Sequence, residues 1–178
     1  MIAFDADVLI YAAQRSHPHG DRIAALFVES PPRVEGPETF ENTAGPDTST
    51  HHQATAARAN RRGTGFNEEE AGASSMAGCG SVMLLPEILS HPLRNGREAE
   101  LLTLTGYLGR LALVPLDRSL AAKSVEVAAE YGLRAADAVH LATALFAGAR
   151  FFLTNNRKDF SPSIPDIRVI YPEDLPPA

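Results

Sequence analysis

The chain has 178 residues, 44% hydrophobic and 21% charged, which is enough apolar material for one buried core in an average globular domain. A net charge of −6 excludes nucleic-acid binding through bulk positive charge, but not an enzyme that reaches nucleic acid through bound metal ions. The single Cys79 excludes an internal disulfide, no apolar run approaches the ~20 residues of a membrane span, and Asp5 and Asp7 stand where a secretory signal is basic, so a cytoplasmic protein without membrane contact is expected.

Ile2-Ala3-Phe4 predicts a short strand ending at Asp5, Val8 to Ala13 a helical turn, and Asp21 to Val28 a helix with Ile23, Leu26 and Phe27 on one face. From Pro31 to Gly80 there is no Leu or Ile; Val34, Phe40, Phe66 and Met76 are the only large apolar residues. Such a stretch, which includes His51-His52 and Glu68-Glu69-Glu70, buries too little surface to offset its ordering entropy. Residues 33–78 therefore read as a disordered or loosely packed insertion, either a partner-binding element or a tract foreign to the fold. Ser81 to Leu85 predicts a buried strand, and Pro86 suits the first turn of a following helix.

Glu98 to Leu111 predicts a helix through Leu101, Leu104, Leu108 and Leu111, and Leu113 to Leu116 a strand. Asp117 caps a helix that Gly132 terminates, and Ala135 to Ala147, apolar nearly all round, predicts a buried central helix. Phe151 to Thr154 and Ile167 to Ile170 supply two more strands. This alternation implies parallel βαβ units. The expected architecture is a three-layer α/β/α domain around a mostly parallel sheet. It is one domain over 1–178, with a core of 1–32 and 79–172 interrupted by the insertion.

The acidic residues fall at particular places. Asp5 and Asp7 follow the first strand, Glu87 the second, Asp137 opens the buried helix, and Asp159 follows the strand at Phe151. In an open parallel sheet, ligands bind beyond the carboxyl ends of the strands, so these positions converge on one edge. Carboxylates gathered there repel one another unless some protonate or a cation sits among them, and hard oxygen donors suit Mg²⁺ or Mn²⁺. The chemistry that follows is metal-assisted hydrolysis of a phosphate ester. Each acid also has a plain reading as a turn or helix-start residue, and Lys158-Asp159 as ordinary loop surface. His140 reads as a packing partner of its helix, and Arg134 and Arg157 as either exposed loop charges or contacts to a phosphodiester backbone.

At these residues the sequence resembles a PIN-domain ribonuclease of the VapC toxin type. The similarity lies in Ile2-Ala3-Phe4-Asp5-Ala6-Asp7-Val8-Leu9-Ile10-Tyr11, in Leu84-Leu85-Pro86-Glu87-Ile88-Leu89, in Leu133 to Ala144 around Asp137, and in Phe152 to Phe160. The resemblance implies a PIN-like fold and Mg²⁺- or Mn²⁺-dependent endonucleolytic cleavage of an RNA substrate. It also implies a homodimer and a cognate antitoxin that blocks the site. It makes Asp5, Glu87 and Asp137 catalytic and metal-binding acids, with Asp5 and Asp137 the first choice as ligands. The fourth acid falls either at Asn156, uncharged here, or at Asp159. Asp7, Thr154, Asn155, Asn156, Arg134 and Arg157 are then expected to face substrate. Two other readings remain: a catalytically impaired RNA- or protein-binding module, and a haloacid dehalogenase-type phosphatase built on Asp5-Ala6-Asp7.

Overall fold

The computed structural model describes residues 1–14, 17–28, 76–162 and 164–178. The stretch expected as an insertion, with His51 and His52, lies outside the described residues except for Met76, Ala77 and Gly78 at its end. Five strands, β1 (Ile2–Phe4), β2 (Gly78–Ser81), β3 (Leu111–Val114), β4 (Phe151–Leu153) and β5 (Arg168–Ile170), pair in the order β3-β2-β1-β4-β5. Every pairing is parallel, with Ala3 opposite Cys79 on one side and Phe152 on the other.

Successive strand residues point to opposite faces, and each face has its own core. Ala3, Cys79, Phe152 and Val169 pack with Leu120 and Val127 of α5 (Arg118–Tyr131) and with Ala138, Leu141 and Ala142 of α6 (Ala135–Phe146). Phe4, Leu111 and Leu153 pack on the other face, against Val8 and Leu9 of α1 (Ala6–Ala13) and Ile23 of α2 (Gly20–Ala24). The same core takes in Leu84 and Ile88 of α3 (Leu84–Arg94) and Leu104 and Leu108 of α4 (Glu98–Leu108). Full burial of a Phe or Leu side chain contributes about 1.5–3 kcal/mol, so Phe4, Phe152, Leu9 and Leu141 anchor the two cores. The result is a three-layer α/β/α arrangement. None of the described helices is long and apolar enough to cross a membrane.

Local signals set several boundaries as expected. The Asp117 carboxylate accepts from the Leu120 N–H at 2.8 Å and caps α5, and Gly132 ends that helix at φ +67°. Helix α6 buries seven of its twelve residues, as its nearly all-round apolar sequence requires.

Other boundaries differ. The strand expected at Ser81–Leu85 lies three residues earlier, and Leu84 and Leu85 already belong to α3. Glycine at 78 and 80 has the weakest strand propensity, yet at 78 only glycine fits. A Cβ on Gly78 would lie 2.2 Å from the Ile2 carbonyl oxygen and 2.7 Å from Phe4 Cε2. Leu111 starts β3 instead of ending α4, because the helix stops at Gly109 and the chain turns directly into the sheet; Pro115 and Leu116 lie beyond that strand. The helix expected over Asp21–Val28 is a short α-helix that tightens into a 3₁₀ turn at Ala25–Phe27. Gly78→Ala is expected to cost about 1–3 kcal/mol of stability in urea denaturation, since the clash is with backbone that cannot yield. An unchanged midpoint would show that β1 and β2 approach less closely than this.

Candidate active site

Along the chain the strands run from β1 outward to β2 and β3, then cross to β4 on the other side of β1. The helices before this crossing lie on one face and α5 and α6, which make it, on the other. The sheet therefore reverses direction at β1, and a crevice opens beyond the carboxyl ends of β1 and β4. Asp5 immediately follows β1, and Thr154-Asn155-Asn156 immediately follows β4.

Asp5 is 5% exposed and is held on both oxygens. Its Oδ1 accepts from the Ala6 N–H at 2.8 Å and its Oδ2 from the Thr154 hydroxyl at 2.6 Å. Thr154 Oγ1 in turn accepts from the Asn156 N–H at 3.0 Å, so the loop after β4 is tied to the acid after β1. Burial pushes the Asp5 carboxyl above its usual range, against the opposing effects of His140 and the two hydrogen bonds; Glu87 adds to the rise. Asp7, one helical step further, accepts from the Asn155 N–H at 3.1 and 3.3 Å. Burial, and then the charge of Asp5, raise it to about 7, with Asp137 contributing.

Asp137 lies in the first turn of α6, where the helix dipole favours a carboxylate. Burial nevertheless raises its carboxyl, and the charges of Asp5 and Asp159 add to the shift. Asp159 forms a reciprocal pair with Asn156. The Asn156 Nδ2 donates to Asp159 Oδ2 at 2.9 Å, and the Asp159 N–H donates to Asn156 Oδ1 at 3.2 Å. The two candidates for the fourth acid position are thus hydrogen-bonded to each other. Phe160, fully buried and edge-on to Phe152 at 4.8 Å between ring centres, pins this loop to the core.

His140 plays a larger part than packing. It is 2% exposed, and its Nε2 lies 2.7 Å from Glu87 Oε2, joining α6 to α3. Burial opposes its charge, but the Glu87 hydrogen bond and the fields of Asp5, Glu87 and Asp137 outweigh it and hold the imidazole above its usual pKa. The field of His140 opposes the rise of both Asp5 and Asp137, so one side chain bears on two of the acids while hydrogen-bonded to a third. Its Nδ1 is buried with no hydrogen-bond partner among the described residues. The sequence signal for this role was its place one turn after Asp137, with both on one face of α6.

The structure thus brings Asp5, Asp7, Glu87, Asp137 and Asp159 into mutual electrostatic reach. The residues expected to face substrate separate into groups. Thr154 is fully buried and holds Asp5, with no surface left for a ligand. Asn155 steadies Asp7 through its backbone, and Asn156 steadies Asp159. Arg157 is ion-paired with Glu173 and stacked 3.8 Å over the Tyr171 ring, so its head is already engaged. Arg134 is exposed at the start of α6, three residues before Asp137. Cys79 is buried and its thiol pKa is raised by that burial, which removes it as a nucleophile.

Among the described residues, no three His, Cys, Asp or Glu side chains stand close enough together to hold a metal ion unaided. The donor chemistry still fits a hard divalent cation. Asp5, Asp7 and Asp137 are oxygen donors raised first by burial, then by nearby carboxylates: Glu87 acts on Asp5, Asp5 on both Asp7 and Asp137. Mg²⁺ characteristically binds through one or two carboxylates and keeps several waters, so it requires no closed cage.

Fold and site together define a doubly wound α/β domain whose crevice is lined by carboxylates. The chain belongs to the PIN domain family, whose model matches residues 50–161, more than half of its length. The matched stretch carries Glu87, Asp137 and Asp159, while Asp5 and Asp7 precede it. Similar solved structures include a toxin–antitoxin complex from Klebsiella pneumoniae, 26% identical over 52% of this chain and 71% of that one, with a TM-score of 0.44. Another is VapBC2 from Rickettsia felis bound to a DNA fragment from its promoter, 21% identical over 51% and 71%, with a TM-score of 0.43. No protein among curated ones matches. Membership in the PIN family leaves the haloacid dehalogenase reading without support.

Proposed function

We propose that the protein is a metal-dependent endoribonuclease, the toxin of a type II toxin–antitoxin pair. The observation that carries the nuclease reading is the meeting of Asp5, Asp7 and Asp137 in the crevice, each raised by burial and by a neighbouring carboxylate. Carboxyls pushed up together in this way are characteristic of functional sites, where burial and like charges are gathered for their chemistry. The toxin reading is supported by the motif resemblance at Asp5, Glu87, Asp137 and Asp159; a cognate antitoxin, a homodimer and a cytoplasmic setting belong to the same reading.

Asp5 and Asp137 would hold Mg²⁺ or Mn²⁺, with Glu87 and Asp159 at its margin. Such an ion supplies Lewis-acid polarisation of the phosphoryl oxygen and activation of the attacking water. The chain's own residues do the rest. Thr154 and the Ala6 N–H fix both oxygens of Asp5, His140 fixes Glu87 through Oε2, and Asn156 fixes Asp159. Asp7, raised by burial and by the charge of Asp5, is the carboxyl beside Asp5 placed to take up and return a proton. Exposed Arg134 stands at the crevice edge to meet a backbone phosphate.

The test is incubation of the purified protein with a mixed pool of single-stranded and structured RNA, with Mg²⁺, with Mn²⁺ and with EDTA. Defined fragments in either metal and none in EDTA are expected. A folded protein that binds RNA but cleaves none of it with either metal would favour the second reading, a non-catalytic binding module. The lack of a preformed three-donor group among the described residues is the observation on that reading's side.

A further inference from the structure

Beyond the carboxylates, helix α1 carries a second feature toward the crevice. Tyr11 stands four residues after Asp7, hence on the same helix face and about 6 Å further along the axis. Its hydroxyl accepts from Asn155 Nδ2 at 3.3 Å, and the backbone N–H of the same Asn155 donates to Asp7. The Tyr11 ring is stacked on His17, with centroids 3.9 Å apart and planes 10° from parallel. The His17 ring is itself held at its edge, because its Nδ1 accepts from the His19 N–H at 3.3 Å; the His19 ring lies 5.8 Å away and tilted by 55°.

Tyr11, His17 and His19 are each partly exposed. They belong to neither fully buried core, although Tyr11 rests partly against one of them. A parallel pair of aromatic rings, fixed by hydrogen bonds and partly open to solvent, is the physical form of a stacking platform for nucleobases. Such stacking is sequence-tolerant and needs no positive charge, which suits a chain of net charge −6.

We propose that the Tyr11–His17 stack is a shelf on which an unpaired base of single-stranded RNA rests, next to the phosphodiester held over Asp5, Asp7 and Asp137. The proposal rests on the ribonuclease reading and specifies how that site receives its substrate. Because the shelf is joined to Asp7 through Asn155, a base stacked on it fixes the register of the chain relative to the carboxylates. Duplex RNA, whose bases are already stacked on each other, gains nothing from it.

The test measures KM and kcat for a short single-stranded RNA cleaved by the full chain, alongside binding of the same RNA in EDTA by anisotropy. Tyr11→Ala and His17→Ala should each weaken binding and raise KM by about 5- to 100-fold, the range of one lost base–aromatic stack, with kcat changed far less. Tyr11→Phe, which keeps the ring and loses the bond to Asn155, should weaken binding less than Tyr11→Ala does, which separates loss of the ring from loss of the bond. An RNA abasic at the stacked position should bind the wild type as weakly as intact RNA binds Tyr11→Ala, with no further loss when both changes are combined. Folded Tyr11→Ala and His17→Ala proteins with unchanged KM and binding would overturn the shelf and leave the ribonuclease reading standing. Should Tyr11→Ala fail to fold, His17→Ala and the abasic substrate decide alone. Failure of the wild type to bind or cleave any RNA would overturn the parent reading, and the shelf with it.

Discussion

Asp5→Asn and Asp137→Asn are each expected to reduce RNA cleavage at least about 10²-fold while making the protein more stable at neutral pH. In the proposed reading the loss follows from removing one of the carboxylates that would hold the cation, whose charge is what offsets the negative phosphoryl oxygens in the transition state; one electrostatic contact to such developing charge is worth about 10²–10³ in rate. The gain follows from the same placement. Asp5 is buried at 5% exposure, and both carboxyls are raised above their usual range by desolvation, with Glu87 adding to Asp5 and Asp5 to Asp137. An amide at position 5 still accepts from the Thr154 hydroxyl or the Ala6 N–H and carries no charge to desolvate. Opposite movement of activity and stability is the signature of a site maintained at the expense of the fold. Steady-state cleavage and urea denaturation, run on the same preparations, read the two effects. Cleavage undiminished in a folded double variant would remove both acids from the mechanism.

Asp7 governs the second large effect, the dependence of stability on pH. Its folded-state value of about 7 stands well above the 3.8 of an unperturbed aspartate, so the folded chain holds a proton that the unfolded chain releases. The stability that this proton brings is complete below the unfolded value and disappears as pH rises through about 7. Asp5, Asp137 and His140, also raised, act in the same direction. The unfolding free energy should therefore fall between pH 5 and pH 8, by on the order of 2 kcal/mol from Asp7 alone. Asp7→Asn should flatten that part of the curve and exceed the wild type at pH 8. Millimolar Mg²⁺ should restore stability to the wild type at pH 8 and do so much less for Asp137→Asn, which gives a readout of metal binding independent of activity. Identical pH profiles for the wild type and Asp7→Asn would show that the carboxyl titrates at its ordinary value.

These effects share one cause. Three carboxyls, one imidazole and a neighbouring carboxylate from α3 are held together by elements far apart in the chain: Thr154 reaches Asp5 across 149 residues, and His140 reaches Glu87 across 53. Each restraint limits how far a charged group can retreat from its neighbours. The cluster is consequently costly to keep charged, a cost that the proposed cation would relieve.

How much of this was legible beforehand divides along the range of the forces involved. The order of strands and helices, the Asp117 cap, the Gly132 stop and the buried character of α6 were all readable, because each depends on residues within a few positions of one another. The placement of acids after strands was readable too, since parallel βαβ units put the strand ends on one edge whatever the details. Only the tertiary structure decided that β2 runs through Gly78-Cys79-Gly80, where local propensity argues against a strand and the close approach of Ile2 and Phe4 demands glycine at 78. It alone turned Thr154 from a substrate contact into a support for Asp5, engaged Arg157 with Glu173, and made His140 the partner of Glu87. Those outcomes depend on which side chains meet across the folded molecule. One-dimensional spacing carries that information only where two residues share a turn of helix, as Asp137 and His140 do.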